Sequence, residues 1–226
     1  MNNATYHHDV SHVTKSGLDL IAQCPALFKQ VKLDGKRSQS GDDISMHVGS
    51  YVHDYVLDPP EYWAKLASGE YKPESTPVAQ AVKSALQNHP TANKLLFSQG
   101  NSEVMRAFEY NGVRCKVKAD RVPLGMDVLV DLKTTKSANP KQFMSSVRRY
   151  RYHVQRAMYL AGFPERVEMV FVAVETSAPY RVECYTLPPE VRDEGQRLFM
   201  RDLDIYRQCT QTGRWPNYTN PGIIEL

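Results

Sequence analysis

This 226-residue sequence has few cysteines, no long apolar run and little excess of either charge. Its four cysteines contain no C-x-x-C pair, which disfavours a zinc ribbon or a c-type haem site. No secretory signal is visible at the N-terminus, so we expect reduced thiols in a cytoplasmic protein. The longest strongly apolar stretch, Met169 to Val174, is far shorter than the about 20 residues that span a bilayer, so we expect no membrane contact. The P-loop motif of nucleotide-driven motors is also missing.

The composition is that of an ordinary globular protein, with 42% hydrophobic and 23% charged residues. A chain of this length can bury a core without disulfides or a structural metal. It has neither an internal repeat nor a low-complexity linker, and the polar segment 33–43 is predicted to be a loop. We therefore expect a single domain over residues 1–226.

The net charge of +3 is unevenly distributed. Between residues 131 and 166 there are eight Lys or Arg and two acids, whereas the rest of the chain holds 20 basic and 23 acidic residues (28 − 8 and 25 − 2). A basic segment on a nearly neutral protein favours contact with a polyanion. A solvated charged face is the alternative that composition leaves open.

The N-terminal third is predicted to be helical. Apolar periodicity indicates helices over residues 16–30, 46–57 and 76–96, the first of them broken near Pro25. Asp58-Pro59-Pro60 is interpreted as the stop signal of the second helix.

The pattern changes to strands in the middle of the chain. Apolar and polar residues alternate over 113–119, and Asn111-Gly112 predicts a hairpin turn that joins this strand to another over Glu103 to Tyr110. An apolar strand over Met126 to Thr134 follows, then one helix from Asn139 to Gly162, further strands and a closing helix. This order predicts an α/β fold, with a mixed β-sheet flanked by helices and a helical N-terminal region.

Two acids and a lysine of these strands form a candidate metal site. Asp131 and Lys133 lie two residues apart, so both project from the same face of their strand. If the preceding strand is a neighbour, Asp120 can converge with Asp131 on one divalent ion, with the Leu132 carbonyl as a further ligand. Lys133 would then stabilise charge on a phosphate. The alternative is a surface Asp–Lys pair worth about 0–1 kcal/mol.

The helix after these strands carries a polar pair within basic surroundings. Gln155 and Tyr159 lie one turn apart on the same face. Arginine supplies bidentate phosphate contacts and aromatic rings stack on bases, although a solvated helix with core tyrosines would look similar. The candidate DNA contacts here are Arg148, Arg149, Arg151, Tyr152 and Arg156.

Several other polar residues give weaker signals. A lone helical histidine such as His53 more often packs or faces solvent than binds a metal, and a glutamate at a strand start, such as Glu103, is common. We assign no function to His7, His8 and His12.

Taken together, Asp120, Asp131-Leu132-Lys133 and Gln155-Arg156-Ala157-Met158-Tyr159 resemble the motifs of the PD-(D/E)xK nuclease superfamily, in the branch with a downstream Q-x-x-x-Y motif. Within it, the chain is similar to the alkaline exonucleases of phage recombination systems, nearest to the RecE (exonuclease VIII) nuclease domain and more distantly to lambda exonuclease. Ala119 departs from the pattern, because a proline usually precedes the first aspartate. The segments that carry the similarity are Val13-Thr14-Lys15-Ser16, Pro25-Ala26-Leu27, Gly49-Ser50-Tyr51-Val52-His53, Asp131-Leu132-Lys133-Thr134-Thr135 and Tyr150-Arg151-Tyr152-His153-Val154-Gln155.

The resemblance implies a restriction-endonuclease-like core and a Mg²⁺-dependent 5′→3′ exonuclease on linear double-stranded DNA. Such an enzyme hydrolyses one strand to nucleotides and leaves a 3′ single-stranded tail for recombination by strand annealing. Two Mg²⁺ ions are implied, with Mn²⁺ as an alternative, and Ser16 matches a position that contacts the 5′-phosphate. The implied metal ligands are His53, Glu103, Asp120, Asp131 and the Leu132 carbonyl. The implied catalytic residues are Asp120, Asp131, Lys133, Glu103, Gln155 and Tyr159.

The resemblance also implies partners. They are linear duplex DNA with a 5′-phosphate, a single-strand annealing protein and further copies of the chain in a ring, with a trimer favoured over a tetramer. A phage or prophage origin and the cytoplasm of a bacterial host are expected. Two alternatives remain open: an endonuclease on the same core, or a DNA-end-binding module without catalysis.

Overall fold

The computed structural model describes residues 10–36 and 44–218, and its centre is a five-stranded sheet in the order β1-β2-β3-β4-β5. Strands β3 and β4 are parallel, and every other neighbouring pair is antiparallel. The strands are β1 (Gly100–Tyr110), β2 (Val113–Pro123), β3 (Val128–Thr135), β4 (Glu168–Glu175) and β5 (Val182–Tyr185).

Helices precede the sheet, cross over between β3 and β4, and follow β5. They are α1 (Lys15–Gln23), α2 (Pro25–Phe28) with a π-helical continuation (Lys29–Leu33), α3 (Ile44–Leu57), α4 (Pro59–Ala67), α5 (Ser75–Asn88), α6 (Pro90–Phe97), α7 (Pro140–Arg149), α8 (Tyr152–Gly162) and α9 (Pro189–Thr212). The predicted α/β class, with a mixed sheet flanked by helices and a helical N-terminal region, is confirmed.

The hairpin between β1 and β2 forms where the sequence predicts it. Asn111 and Gly112 both have positive φ, +49° and +77°, as the twist of a two-residue hairpin turn requires. The alternation in β2 is also confirmed, since its apolar residues from Val113 to Ala119 are all buried. Among the polar residues between them, however, Lys116 is only 2% exposed, so this face of β2 is not simply a solvent face.

Two hydrophobic cores cover the two faces of the sheet. One packs α7, α8 and α9 against the face that carries Leu129 and Phe171, and the other packs α3, α5 and α6 against the face that carries Val130 and Val172. Neighbouring residues of β3 and β4 therefore belong to different cores, as expected for parallel central strands. Side chains at the ends of these strands are held by packing on both sides.

The crossover from β3 to β4 differs from its prediction. Asn139 caps α7 and Pro140 opens it, as expected, but the single helix predicted to run to Gly162 is wrong. It breaks at Arg151, which has a left-handed φ of +56°. The Arg151 guanidinium donates to the Leu18 carbonyl and pairs with Asp19 and the buried Asp202, so long-range contacts fix the break.

A second difference lies after α3. Asp58 ends α3 but also begins α4, because its side chain accepts a hydrogen bond from the Glu61 amide and Pro59 occupies the first helical position. The interpretation of this segment as a stop signal alone missed the helix that follows.

No helix within the described ranges combines the length and the apolar character needed to cross a membrane. His7 and His8, to which we assign no function, lie outside these ranges, as does most of the predicted loop 33–43.

Candidate metal centre and adjoining cavities

Three potential metal ligands meet beside the sheet. One donor atom each from His53 on α3, Glu103 on β1 and Asp120 on β2 lie within 4.8 Å of one another. Glu103 faces Asp120 across the hairpin, because the flanking register pairs Ser102 with Arg121 and Val104 with Ala119. One imidazole nitrogen and two carboxylates are a donor set that binds divalent cations.

The backbone at Glu103 is unusual. Its φ of +56° is left-handed, although it lies inside a strand, and a non-glycine residue in that conformation costs of order 1–3 kcal/mol. Its carboxylate forms an ion pair with Lys118, which anchors it from β2. Backbone strain of this kind is often found where a side chain must be aimed at a functional site.

His53 links α3 to the strand that carries the D-x-K motif. Its Nε2 lies 2.5 Å from the Leu132 carbonyl, which can only accept, so Nε2 carries the proton of this hydrogen bond. Its Nδ1 lies 3.6 Å from Asp120 Oδ2, and that oxygen also accepts from the Leu132 amide at 2.9 Å. A Cβ on Gly49, one turn earlier, would lie 3.3 Å from Thr134 Oγ1, so the small residue lets α3 approach β3 closely.

Asp120 holds its proton far more tightly than an ordinary aspartate. Burial and, secondarily, the charge of Asp131 raise its pKa to about 7, while His53 and Lys133 partly oppose the shift. The cluster therefore carries a negative charge that the apo protein disfavours. A cation bound by His53, Glu103 and Asp120 would relieve this cost, which is the reason that these residues fit a divalent ion.

Asp131 lies beside this group and has its own partners. Its side chain is 2% exposed, Lys133 Nζ lies 2.7 Å from Oδ2, and Gln155 Nε2 donates to Oδ1. Lys133 Nζ also lies 4.6 Å from the centre of the Tyr152 ring. Burial opposes the charged form of Lys133, but Asp131 and Asp120 more than offset it and raise its pKa. The structure thus joins the D-x-K motif to the Q-x-x-x-Y helix, and the ligand role of Asp131 and of the Leu132 carbonyl stays a prediction.

Two cavities adjoin these residues. The metal cleft has a volume of about 460 Å³ and is lined by His53, Glu103, Asp120 and Lys133. A second cavity of about 300 Å³, here called the α1 cavity, lies at the N-terminus of α1. It is lined by Thr14, Lys15, Ser16, Lys116, Gln155 and Tyr159. Gln155 therefore borders the α1 cavity and contacts the acid beside the metal cleft.

The predicted DNA contacts have varied surroundings. Arg148 Nη1 lies 3.0 Å from Glu194, Arg156 Nε lies 2.5 Å from Glu168, and Arg151 carries the internal pairs described above. Arg149 stacks on the Tyr150 ring. A third cavity of about 420 Å³ is lined by Arg148, Arg149, Arg151 and Arg201 together with Asp19 and Glu194. The DNA-binding role of these arginines stays a prediction, and three of them also hold structural carboxylates.

Among the lysines that line these cavities, Lys65, Lys116 and Lys118 were not predicted as site residues. Lys116 and Lys118 fall on the polar positions of β2, and alternation does not distinguish a solvent face from a cavity. Lys65 lies on α4, the helix that was not predicted. The alternation in β2 was the one local signal that pointed towards the first two.

Comparisons with known proteins identify a family. The model of the family described as "PDDEXK-like domain of unknown function (DUF3799)" matches residues 14–224. A crystal structure of a candidate exonuclease from Eubacterium rectale is similar, with a TM-score of 0.78 and 16% identity over 100% of this chain and 95% of that one. An alkaline exonuclease (LHK-Exo) from Laribacter hongkongensis gives 0.48 and 11% over 94% and 97%. A phage-related exonuclease from Haemophilus somnus 129PT gives 0.42 and 12% over 90% and 96%. No curated protein sequence matches significantly.

Proposed function

Because this chain belongs to the PDDEXK-like domain family (DUF3799), we propose that it is a divalent-metal-dependent exonuclease. It degrades one strand of linear double-stranded DNA from the 5′ end to nucleotides and leaves a 3′ single-stranded tail. The observation that carries the proposal is the position of Gln155, which lines the α1 cavity and donates a hydrogen bond to Asp131. One side chain thus connects a site suited to a terminal phosphate with the acid beside the metal cleft.

The α1 cavity has the chemistry of a phosphate site. Thr14 caps α1 by accepting from the Gly17 amide, and the exposed Ser16 hydroxyl lies 3.1 Å from Thr14 Oγ1. The N-terminal amides and partial positive charge of a helix favour an anion, and Lys15 and Lys116 add cationic groups. A 5′-phosphate held here would lie next to Gln155, so the bond presented to the cleft would be close to the strand end. This supports 5′→3′ polarity and release of nucleotides.

The residues of the cleft have distinct tasks. His53, Glu103 and Asp120 would hold a divalent ion, which would supply Lewis-acid stabilisation of negative charge on the phosphate. Lys133, fixed by Asp131, places an ammonium beside the same phosphate and stabilises the charge that develops on it. Gln155 holds Asp131 in the orientation that positions this lysine. We propose Mg²⁺ as the ion, with Mn²⁺ as the alternative, because both favour oxygen ligands such as the carboxylates of Glu103 and Asp120. A second ion, with Asp131 and the Leu132 carbonyl as ligands, is part of the proposal.

The test is digestion of linear duplexes labelled at the 5′ or the 3′ end, with and without a 5′-phosphate. With Mg²⁺ we expect the 5′ label to be released first as a nucleotide, faster from phosphorylated ends, and we expect no release with a chelator. Retention of the 5′ label while the 3′ label is lost would contradict the polarity. Cleavage of a covalently closed circle would identify an endonuclease, and binding without turnover would identify an end-binding module.

Two variants separate the parts of the site. Ser16→Ala should reduce the preference for phosphorylated over unphosphorylated ends while cleavage of unphosphorylated ends continues. Lys133→Met should abolish cleavage with either substrate while duplex binding persists, because it removes the charge-stabilising ammonium. An unchanged end preference in Ser16→Ala, or continued cleavage by Lys133→Met, would contradict the assignment of the two cavities.

The proposal extends to the partners that the resemblance implies. They are a single-strand annealing protein that receives the 3′ tail and a homo-oligomeric ring, a trimer rather than a tetramer. Light scattering of the purified chain tests the ring, and a monomer at all concentrations would contradict it.

A further inference from the structure

The wall of the metal cleft formed by α3 and α4 carries an ionic cluster outside all the motif residues. Asp54 follows His53 on α3, and its Oδ2 accepts a hydrogen bond from Lys65 Nζ at 2.8 Å and another from Tyr71 Oη at 2.6 Å. Asp54, Lys65 and Tyr71 all line the same cleft as His53. The cluster therefore borders the space in which a substrate of the metal site would lie.

This cluster holds Lys65 in a defined position. Tyr71 is buried against the Tyr51 and Tyr62 rings, so its hydroxyl is a fixed donor to Asp54. Asp54 in turn fixes Lys65, whose pKa is raised because its hydrogen bond and charge contacts with Asp54 outweigh burial. An ammonium that is already positioned and charged loses little freedom when it binds an anion.

Lys65 also has donor capacity to spare. An ammonium has three N–H donors, and within residues 10–36 and 44–218 the carboxylates paired with it are Asp54 and, at 3.3 Å, Glu61. Its side chain is 24% exposed and borders the cleft. On the other side of the cleft, Lys118 pairs with Glu103 and Lys133 pairs with Asp131, so those lysines are tied to the catalytic acids. Lys65 is the lysine that the α4 wall offers to a ligand.

We infer that Lys65 binds a backbone phosphate of the DNA strand that occupies the metal cleft, on the α4 side of the metal ligands. Asp54 and Tyr71 act as positioning residues for it. The inference rests on the proposed function, since it takes DNA as the ligand. It adds a contact that neither the D-x-K nor the Q-x-x-x-Y motif contains.

The test is the salt dependence of duplex binding. The affinity of wild type and of Lys65→Met for a short fluorescent linear duplex is measured in chelator, where no cleavage occurs, from roughly 50 to 200 mM salt. Loss of one phosphate contact should weaken binding. It should also lower the magnitude of the negative slope of log K against log salt by about 0.9. The ratio of wild-type to Lys65→Met affinity should therefore fall about threefold from roughly 50 to 200 mM salt. With Mg²⁺, we expect a higher KM for DNA at an unchanged kcat.

Two controls test whether the lowered slope in Lys65→Met comes from the loss of a phosphate contact. Lys83 lies over the Tyr55 ring of the same aromatic region but does not line the cleft, so Lys83→Met should keep the wild-type slope. Lys65→Met also leaves Asp54 without its cation, which by itself could repel DNA. The double variant Lys65→Met/Asp54→Asn removes both charges and keeps an acceptor for Tyr71, so the lowered slope should persist in it.

An unchanged slope in Lys65→Met would overturn the inference, and so would recovery of the wild-type slope in the double variant, because Lys65 would then only neutralise Asp54. Failure of the wild type to bind duplex DNA would overturn the inference and the proposed function together. Duplex binding with a lowered slope in Lys65→Met, but without Mg²⁺-dependent cleavage by the wild type, would support the inference and contradict only the proposed function.

Discussion

Replacement of Asp120 by asparagine should stabilise the metal-free protein, and increasingly so as the pH rises. The native state raises the pKa of this carboxyl from 3.8 to about 7, chiefly through burial. The native state therefore binds an extra proton between about pH 4 and pH 7, so wild-type stability falls as the pH rises through this window. Above pH 7 the full difference between the two pKa values, 3.8 and about 7, acts on stability, which corresponds to about 4 kcal/mol. Asparagine is neutral at every pH and can still accept from the Leu132 amide.

The assay is urea or thermal unfolding of wild type and Asp120→Asn in chelator. The stability gained by the variant should be about 2 kcal/mol at pH 5 and about 4 kcal/mol at pH 8. For a chain of this length, the latter is a rise in Tm of about 10 °C. Excess Mg²⁺ should narrow this difference in stability, because an ion at the proposed site would stabilise the folded wild type, whereas the variant has lost a charged ligand. A gap that does not depend on pH, or a variant less stable than wild type at pH 8 in chelator, would refute the reasoning.

Three further substitutions test contacts described above. Gln155→Leu leaves Asp131 Oδ1 buried without its donor, so we expect a loss of about 1–3 kcal/mol in unfolding free energy and a lower kcat for cleavage. Asp202→Ala leaves the guanidinium of Arg151 without its buried carboxylate, and denaturant unfolding should show a loss of about 3–5 kcal/mol. Gly195→Ala puts a Cβ into a backbone carbonyl of α8, so α9 must shift; Tm should fall clearly, and an unchanged Tm would show that the two helices separate easily.

Local chemistry was enough to predict much of the fold. The Asn111-Gly112 turn, the alternation in β2 and the cap at Asn139 each depend on residues that are close in the chain, and the structure has all three. The break between α7 and α8 was not predictable in this way. No proline or glycine marks it, and Arg151 is held there by Asp19 and Asp202, partners that are distant in sequence.

In the candidate site, too, contacts between residues close in the chain were predictable, and contacts between distant residues were not. The strand positions of Asp131 and Lys133 predicted that the two side chains share a face, and they lie in contact. Sequence spacing alone did not show that His53 and Glu103, which gave weak signals, each place a donor atom within 4.8 Å of one on Asp120. That arrangement depends on how α3 packs on β3 and on the left-handed turn of the Glu103 backbone, neither of which has a local signature.

The three candidate metal ligands, His53, Glu103 and Asp120, come from α3, β1 and β2. The strand next to β2, which is β3, supplies Lys133. No single helix or strand holds this set, so a partly folded molecule in which α3 has not packed against the β1–β2 hairpin lacks the complete set of ligands. Correct folding is thus a precondition for assembling the candidate site. Conversely, binding of an ion by all three ligands would require that α3 is already packed against the β1–β2 hairpin.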